Sequence, residues 1–227
     1  MTDRAAEAAF TDPLTLRAWR SERRRMRTEI VLCALCFVAY VGLAAVLEDL
    51  GMRRFTLGVA TVPVVLALML WVVRLGVRRE QLTRMRRVLQ TYPWRDLPPI
   101  GEAHPAGQGY FRMPDPDRPE KRVQVAFSCL GRGRRWKRAV TEVRSTASVY
   151  AGDPRFACVV STPAKLLTVR PQHEAARHPR VRPDAVSKAA WTLALTAGIT
   201  EPPSNEEKFM RLLYTVRTRR GSRPPGR

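Results

Sequence analysis

The stretch IVLCALCFVAYVGLAAVL, Ile30 to Leu47, runs for 18 residues without a charge. At about 1.5 Å rise per residue a helix of that length reaches roughly 27 Å, close to the thickness of a bilayer's hydrocarbon core. It is apolar on every face, whereas a helix bordering a soluble core keeps one polar face. A second run, FTLGVATVPVVLALMLWVV, Phe55 to Val73, adds 19 uncharged residues after a connection of only seven, EDLGMRR. Together they predict a transmembrane helical hairpin over residues 30–78, with spans at 30–47 and 55–73. So short a connection makes the spans antiparallel neighbours, and Pro63 is expected to kink the second.

Arginines orient the hairpin. Arg17, Arg20, Arg23, Arg24, Arg25 and Arg27 precede it; Arg74, Arg78, Arg79, Arg84, Arg86 and Arg87 follow it. The connection carries two arginines offset by two acids. Cations accumulate on the cytoplasmic side, so both termini are expected in the cytoplasm. No short apolar run with a small-residue cleavage site precedes the first span, so a cleavable signal peptide is not expected. The formal net charge is +20, yet only five of the 40 cations are lysine. An arginine bias of this kind, with abundant Ala, Val, Leu and Pro, is what a GC-rich genome produces. What basicity remains favours anionic partners, acidic lipid or phosphate backbones. Four cysteines do not make the dense disulfide framework of a small secreted domain.

Outside the hairpin the pattern is α+β. Residues 1–29 form a basic N-terminal segment. Residues 79–92 read as a juxtamembrane helix, with Leu82, Met85 and Leu89 at helical spacing, stopped by the prolines of YPWRDLPP. Across 93–171 the period changes to two. In RVQVAFSC, Arg122 to Cys129, Val123, Val125, Phe127 and Cys129 alternate with smaller or polar residues, as in a half-buried strand. YFRM, RFACVVS and KLLTVR are shorter candidates, GRGRR reads as a turn, and WKRAVTEVR as the strand returning from it. Four or five short strands predict a small antiparallel barrel or sandwich. Residues 172–183 read as a linker and 184–219 as C-terminal helices. The first of these ends at Gly198; the second starts at a capping box, Ser204 with Glu207. They are expected to pack on the β domain rather than lie in the membrane interface. Residues 220–227 read as a disordered tail.

Two spans followed by MRRVLQTYPWRDLPP (Met85 to Pro99) and VYAGDPRFACVVSTP (Val149 to Pro163) resemble a group of small actinobacterial integral membrane proteins. The likeness covers roughly residues 20–170 and rests on those two stretches. It implies two transmembrane helices, a cytoplasmic β domain and a bacterial plasma membrane. It brings no activity and no catalytic residue with it.

The sequence carries little chemistry. No nucleophile elbow, zinc-protease helix, phosphate-binding loop or dinucleotide fingerprint occurs. The octapeptide GRGRRWKR sets Arg132, Arg134, Arg135, Lys137 and Arg138 around Trp136. On a domain held below the inner leaflet such a turn would contact anionic lipid headgroups. The plainer reading is a solvated hairpin tip with Trp136 turned inward. Nucleic acid ranks last, because no second aromatic is spaced to stack bases. Cys33 and Cys36 form a CxxC on one face of the first span, the pair a thiol oxidoreductase would use. They read first as two small apolar residues. A zinc site on His173, His178, Cys129 and Cys158 would need ligands from three segments. Asp115, Asp117 and Asp153 read as turn formers, and STPAK offers Thr162 and Lys165 without a partner. The function expected is therefore non-catalytic and without a cofactor: a scaffold or binding module at the cytoplasmic leaflet. Its expected partners are the bilayer, anionic headgroups, and another protein or a second copy. The alternatives are a thiol oxidoreductase and a membrane-tethered nucleic-acid binder.

Overall fold

Helix α1, Pro13–Asp49, begins at an Asp-Pro pair. The computed structural model describes residues 8–49, 61–100, 110–128, 134–163, 165–171 and 182–200. The Asp12 carboxylate accepts the N–H groups of Leu14 and Thr15, each at 3.2 Å, while Pro13 presets the first helical φ. Helix α2, Thr61–Thr91, runs antiparallel beside it. Contacts hold the pair in register along its length. The Ala9 N–H donates to the Tyr92 carbonyl at 2.9 Å, the Trp19 indole N–H to the Leu82 carbonyl at 3.4 Å, and the Tyr40 hydroxyl to Thr61 at 2.9 Å. Pro63 is the third described residue of α2.

Both helices are long and apolar enough to cross a membrane. The most apolar window of the first is only 6% buried inside the molecule, and that of the second 11%. Beyond the apolar runs the same helices continue without interruption into a second core. The residues before Ile30 and after Val73 are thus the outer turns of α1 and α2, and Trp19, Leu82, Met85, Val88 and Leu89 are buried there.

That core rests on a six-stranded sheet. The strands are β1 (Arg95–Leu97), β2 (Tyr110–Pro114), β3 (Arg122–Phe127), β4 (Ser148–Asp153), β5 (Ala157–Ser161) and β6 (Leu166–Pro171). Their order is β1-β4-β5-β6-β3-β2, every neighbour antiparallel. Helix α3, Arg134–Ser145, lies between β3 and β4 in the chain, and helix α4, Lys188–Thr196, follows β6. Side-chain alternation divides the sheet. Ala151, Val159 and Leu166 face α1, α2 and α4; Tyr150, Cys158, Val160, Leu167 and Val169 face α3. The edge strands β1 and β2 both send residues (Leu97, Phe111, Met113) into the core around α3, so the sheet curls about that helix.

Two expectations change. WKRAVTEVR is helix, not a return strand: Trp136, Ala139, Val140 and Val143 form one buried stripe at the spacing of a helix. The strand itself is β4, SVYAGD. Among the described residues the sheet is single, with β1 and β2 at its edges, and curls into half a barrel rather than a closed barrel or a sandwich. Helix α4 packs on protein, through Ala194 and the Phe156–Trp191 ring contact at 5.6 Å. Ser187 caps its start, accepting the Ala190 N–H at 3.2 Å. Gly198, at φ +61°, lets the Ile199 N–H return to the Ala194 carbonyl at 3.1 Å and closes its end. The expected second C-terminal helix lies outside the described residues.

Candidate functional site

The first turn of α3 holds most of the cationic octapeptide. Arg134, Arg135, Lys137 and Arg138 are exposed along it; Arg132 lies outside the described residues. Trp136 points the other way. It is 6% exposed, and its indole N–H donates to the Ser128 carbonyl at 2.9 Å. Its place as a ring at headgroup level is therefore corrected: the indole belongs to the core, and only the cations around it face outward. Ser128 also accepts, on its hydroxyl, the Gln81 amide of α2 at 2.6 Å. The relay Gln81–Ser128–Trp136 pins the cationic turn to a fixed height on α2.

Beside that relay a cleft of about 40 Å³ opens between α1, α2 and β6. Glu22 and Glu29 project into this region from α1, Arg78 from α2 and Lys165 from the start of β6. Arg78 donates to Glu29 and, at 3.1 Å, to Glu22. Arg25 stands 3.7 Å from Glu22, and the Lys165 ammonium 3.8 Å from it. Burial disfavours the Arg78 charge, but the Glu29 and Glu22 partners outweigh it and its pKa is net raised. For Lys165 the balance is reversed. Burial lowers its pKa, Glu22 opposes that, and Arg78 and Arg25 lower it further. Sequence reading missed Glu22, Glu29 and Arg78, because the partners stand about 50 residues apart or more and nothing local joins them.

A second polar cluster is a clamp. The Arg155 side chain is 5% exposed and meets three carboxylates: Asp115 at 3.1 Å, Asp117 at 2.7 Å and Asp153 at 2.7 Å. It also donates to the Ala185 carbonyl at 3.2 Å. Asp117 in turn accepts the Ser187 N–H at 2.8 Å and hydroxyl at 2.9 Å, at the cap of α4. Burial raises the Asp117 carboxyl, yet Ser187 and Arg155 more than offset it and hold it below the usual carboxylate range. Burial disfavours the Arg155 charge as well, and Asp153, Asp117 and Asp115 reverse that too. The aspartates do form turns, as the Asp117 N–H on Asp115 at 3.0 Å and the Arg155 N–H on Asp153 at 2.9 Å show. Their second task, gathering the β2–β3 connection, the β4–β5 turn and α4 on one guanidinium, is structural. Close by, the Tyr92 hydroxyl is buried with no hydrogen-bond partner among the described residues, and burial with the Asp153 charge raises its pKa.

The remaining candidates stay apart. Cys33 is buried and Cys36 exposed, both as free thiols. Cys158 is buried against Met113, and burial pushes its thiol far up, which makes it a poor nucleophile. Cys129, His104, His173 and His178 lie outside the described residues. Among the described residues no group of His, Cys, Asp and Glu is arranged to hold a metal ion. Compared with family models, curated proteins and solved structures, the chain matches none.

Proposed function

We propose that the chain is a two-span protein of a bacterial plasma membrane, with both termini in the cytoplasm. Its α+β module is a non-catalytic binding or scaffolding unit held against anionic lipid of the inner leaflet. The observation that carries this is the height of α3. Gln81, which fixes Ser128 and through it Trp136, stands eight residues beyond Val73 on the same unbroken helix. At 1.5 Å per residue that is about 12 Å below the hydrocarbon boundary, just past the headgroup layer. Arg134, Arg135, Lys137 and Arg138 therefore stand about one screening length from the leaflet. The apolar windows support the placement from the other side, since a helix of a soluble core would be mostly buried and these are 6% and 11% buried.

Each cation near an acidic leaflet gains about 1 kcal/mol. The full chain should accordingly be more stable in nanodiscs of acidic lipid than in neutral ones. In the variant Arg134→Gln, Arg135→Gln, Lys137→Gln that difference should shrink by about 3 kcal/mol. Raising the salt should shrink it in the unsubstituted protein as well. Equal stability in both lipids at low salt would remove the leaflet from the account and leave a solvated face or a protein partner.

A further inference from the structure

The cleft beside the relay has the charge and the donors of a headgroup site. Glu22 stands eight residues before Ile30 and Arg78 five residues after Val73, so the cleft opens about 8–12 Å below the spans. The Arg78 end of the cleft, about 8 Å below, meets the inner edge of the headgroup layer, which is roughly 5–7 Å deep. The charges lining it are unbalanced: one carboxylate, Glu22, stands against two cations, Arg78 and Lys165. Arg78 spends its guanidinium on Glu22 and Glu29. Lys165 does not share in this. Its side chain is 16% exposed, its nearest carboxylate is 3.8 Å away, and among the described residues no acceptor lies within hydrogen-bond distance of the ammonium. An ammonium this enclosed, with three donors and no protein acceptor in reach among the described residues, favours an anion that can accept from it. Ser128 and Gln81 line the same space and can complete the shell around an oxyanion.

We propose that this cleft seats the phosphate of one anionic phospholipid, with the Lys165 ammonium as its principal donor. The inference rests on the membrane placement above, and it goes further: it assigns one discrete lipid to one pocket, distinct from the diffuse attraction of α3. A bound phosphate would give the Lys165 ammonium an acceptor and tie β6 to the helical pair at the membrane surface.

The test uses the full chain in neutral detergent, titrated with dioctanoyl phosphatidylglycerol and followed by native mass spectrometry. One lipid per chain should bind saturably. Lys165→Gln should weaken it about tenfold, the worth of one charge-assisted hydrogen bond. Lys165→Arg should retain most of the affinity. Lys165→Met keeps the apolar stem and serves should the Gln variant fold poorly; it should bind as weakly. Unchanged affinity in a folded Lys165→Gln or Lys165→Met protein would overturn the proposal. So would equal binding of dioctanoyl phosphatidylcholine, or displacement of the lipid by inorganic phosphate at comparable concentration, which would mark a site for a free anion. Because binding is read in micelles, failure here is distinct from a failure of the membrane orientation.

Discussion

Replacing Arg155 by Met should lower the stability of the protein by about 3–5 kcal/mol, the usual consequence of stranding buried charges. In detergent this should appear as a fall of about 6–20 °C in the thermal midpoint. Removing the guanidinium leaves the carboxylates of Asp115, Asp117 and Asp153 facing one another, and those of Asp115 and Asp153 are 9% and 3% exposed. It also frees the connection to α4, since the Ala185 carbonyl and the Asp117–Ser187 pair depend on the same head group. Arg155→Lys keeps the charge but not the planar fork, and should lose less. The pH dependence has a fixed sign. Asp117 is depressed in the folded state, so its contribution is complete above the ordinary carboxylate range and is lost as pH falls through its own lower value. Asp117→Asn should flatten that acid limb.

Gly152→Ala should be of similar size, by sterics alone. Gly152 sits at φ +108°, where residues with a side chain are strained. A Cβ there would meet the Ala157 carbonyl oxygen at 2.5 Å, the Cys158 Cα at 2.8 Å and the Val88 side chain at 2.9 Å. Two of these are backbone and cannot step aside. Strain at φ and overpacking together should cost about 3–5 kcal/mol, measured again as a fall in the thermal midpoint. The position matters because α2 meets the β4–β5 hairpin there. A chain that accepts alanine with its midpoint unchanged would contradict that close approach.

The apolar runs were legible because 18 and 19 residues pass without a charge. The strands β2, β3, β5 and β6 were legible from alternation and the prolines and glycines between them. Helix α4 was legible from the glycine that ends it, Gly198, but its start was placed at residue 184 and the Ser187 cap went unread. Helix α3 was misread although its signal was present: Trp136, Ala139, Val140 and Val143 repeat at helical spacing, but a turn-like GRGRR before them suggested a hairpin. Strand β4 was missed for a different reason. Tyr150, Ala151, Gly152 and Asp153 are all buried, so no alternation survives to mark a strand. The N-terminal segment read as a basic flank, whereas Thr15, Trp19 and Glu22 are buried against α2 or the cleft. The cleft and the clamp could not be read at all. They join Glu22 to Arg78 and Lys165, and Asp117 to Arg155 and Ser187, across separations that only the folded sheet brings together.

The central claim is a two-span chain with both ends on the cytoplasmic side, and reporter topology tests it most directly. A fluorescent reporter that matures only in the cytoplasm and a phosphatase active only outside it would each be fused, in turn, to the N-terminus and to the C-terminus of the full chain. At both ends the fluorescent fusion should be bright and the phosphatase silent, with the protein retained in the membrane fraction. Phosphatase activity at either end, or recovery of the chain in the soluble fraction, would contradict the account.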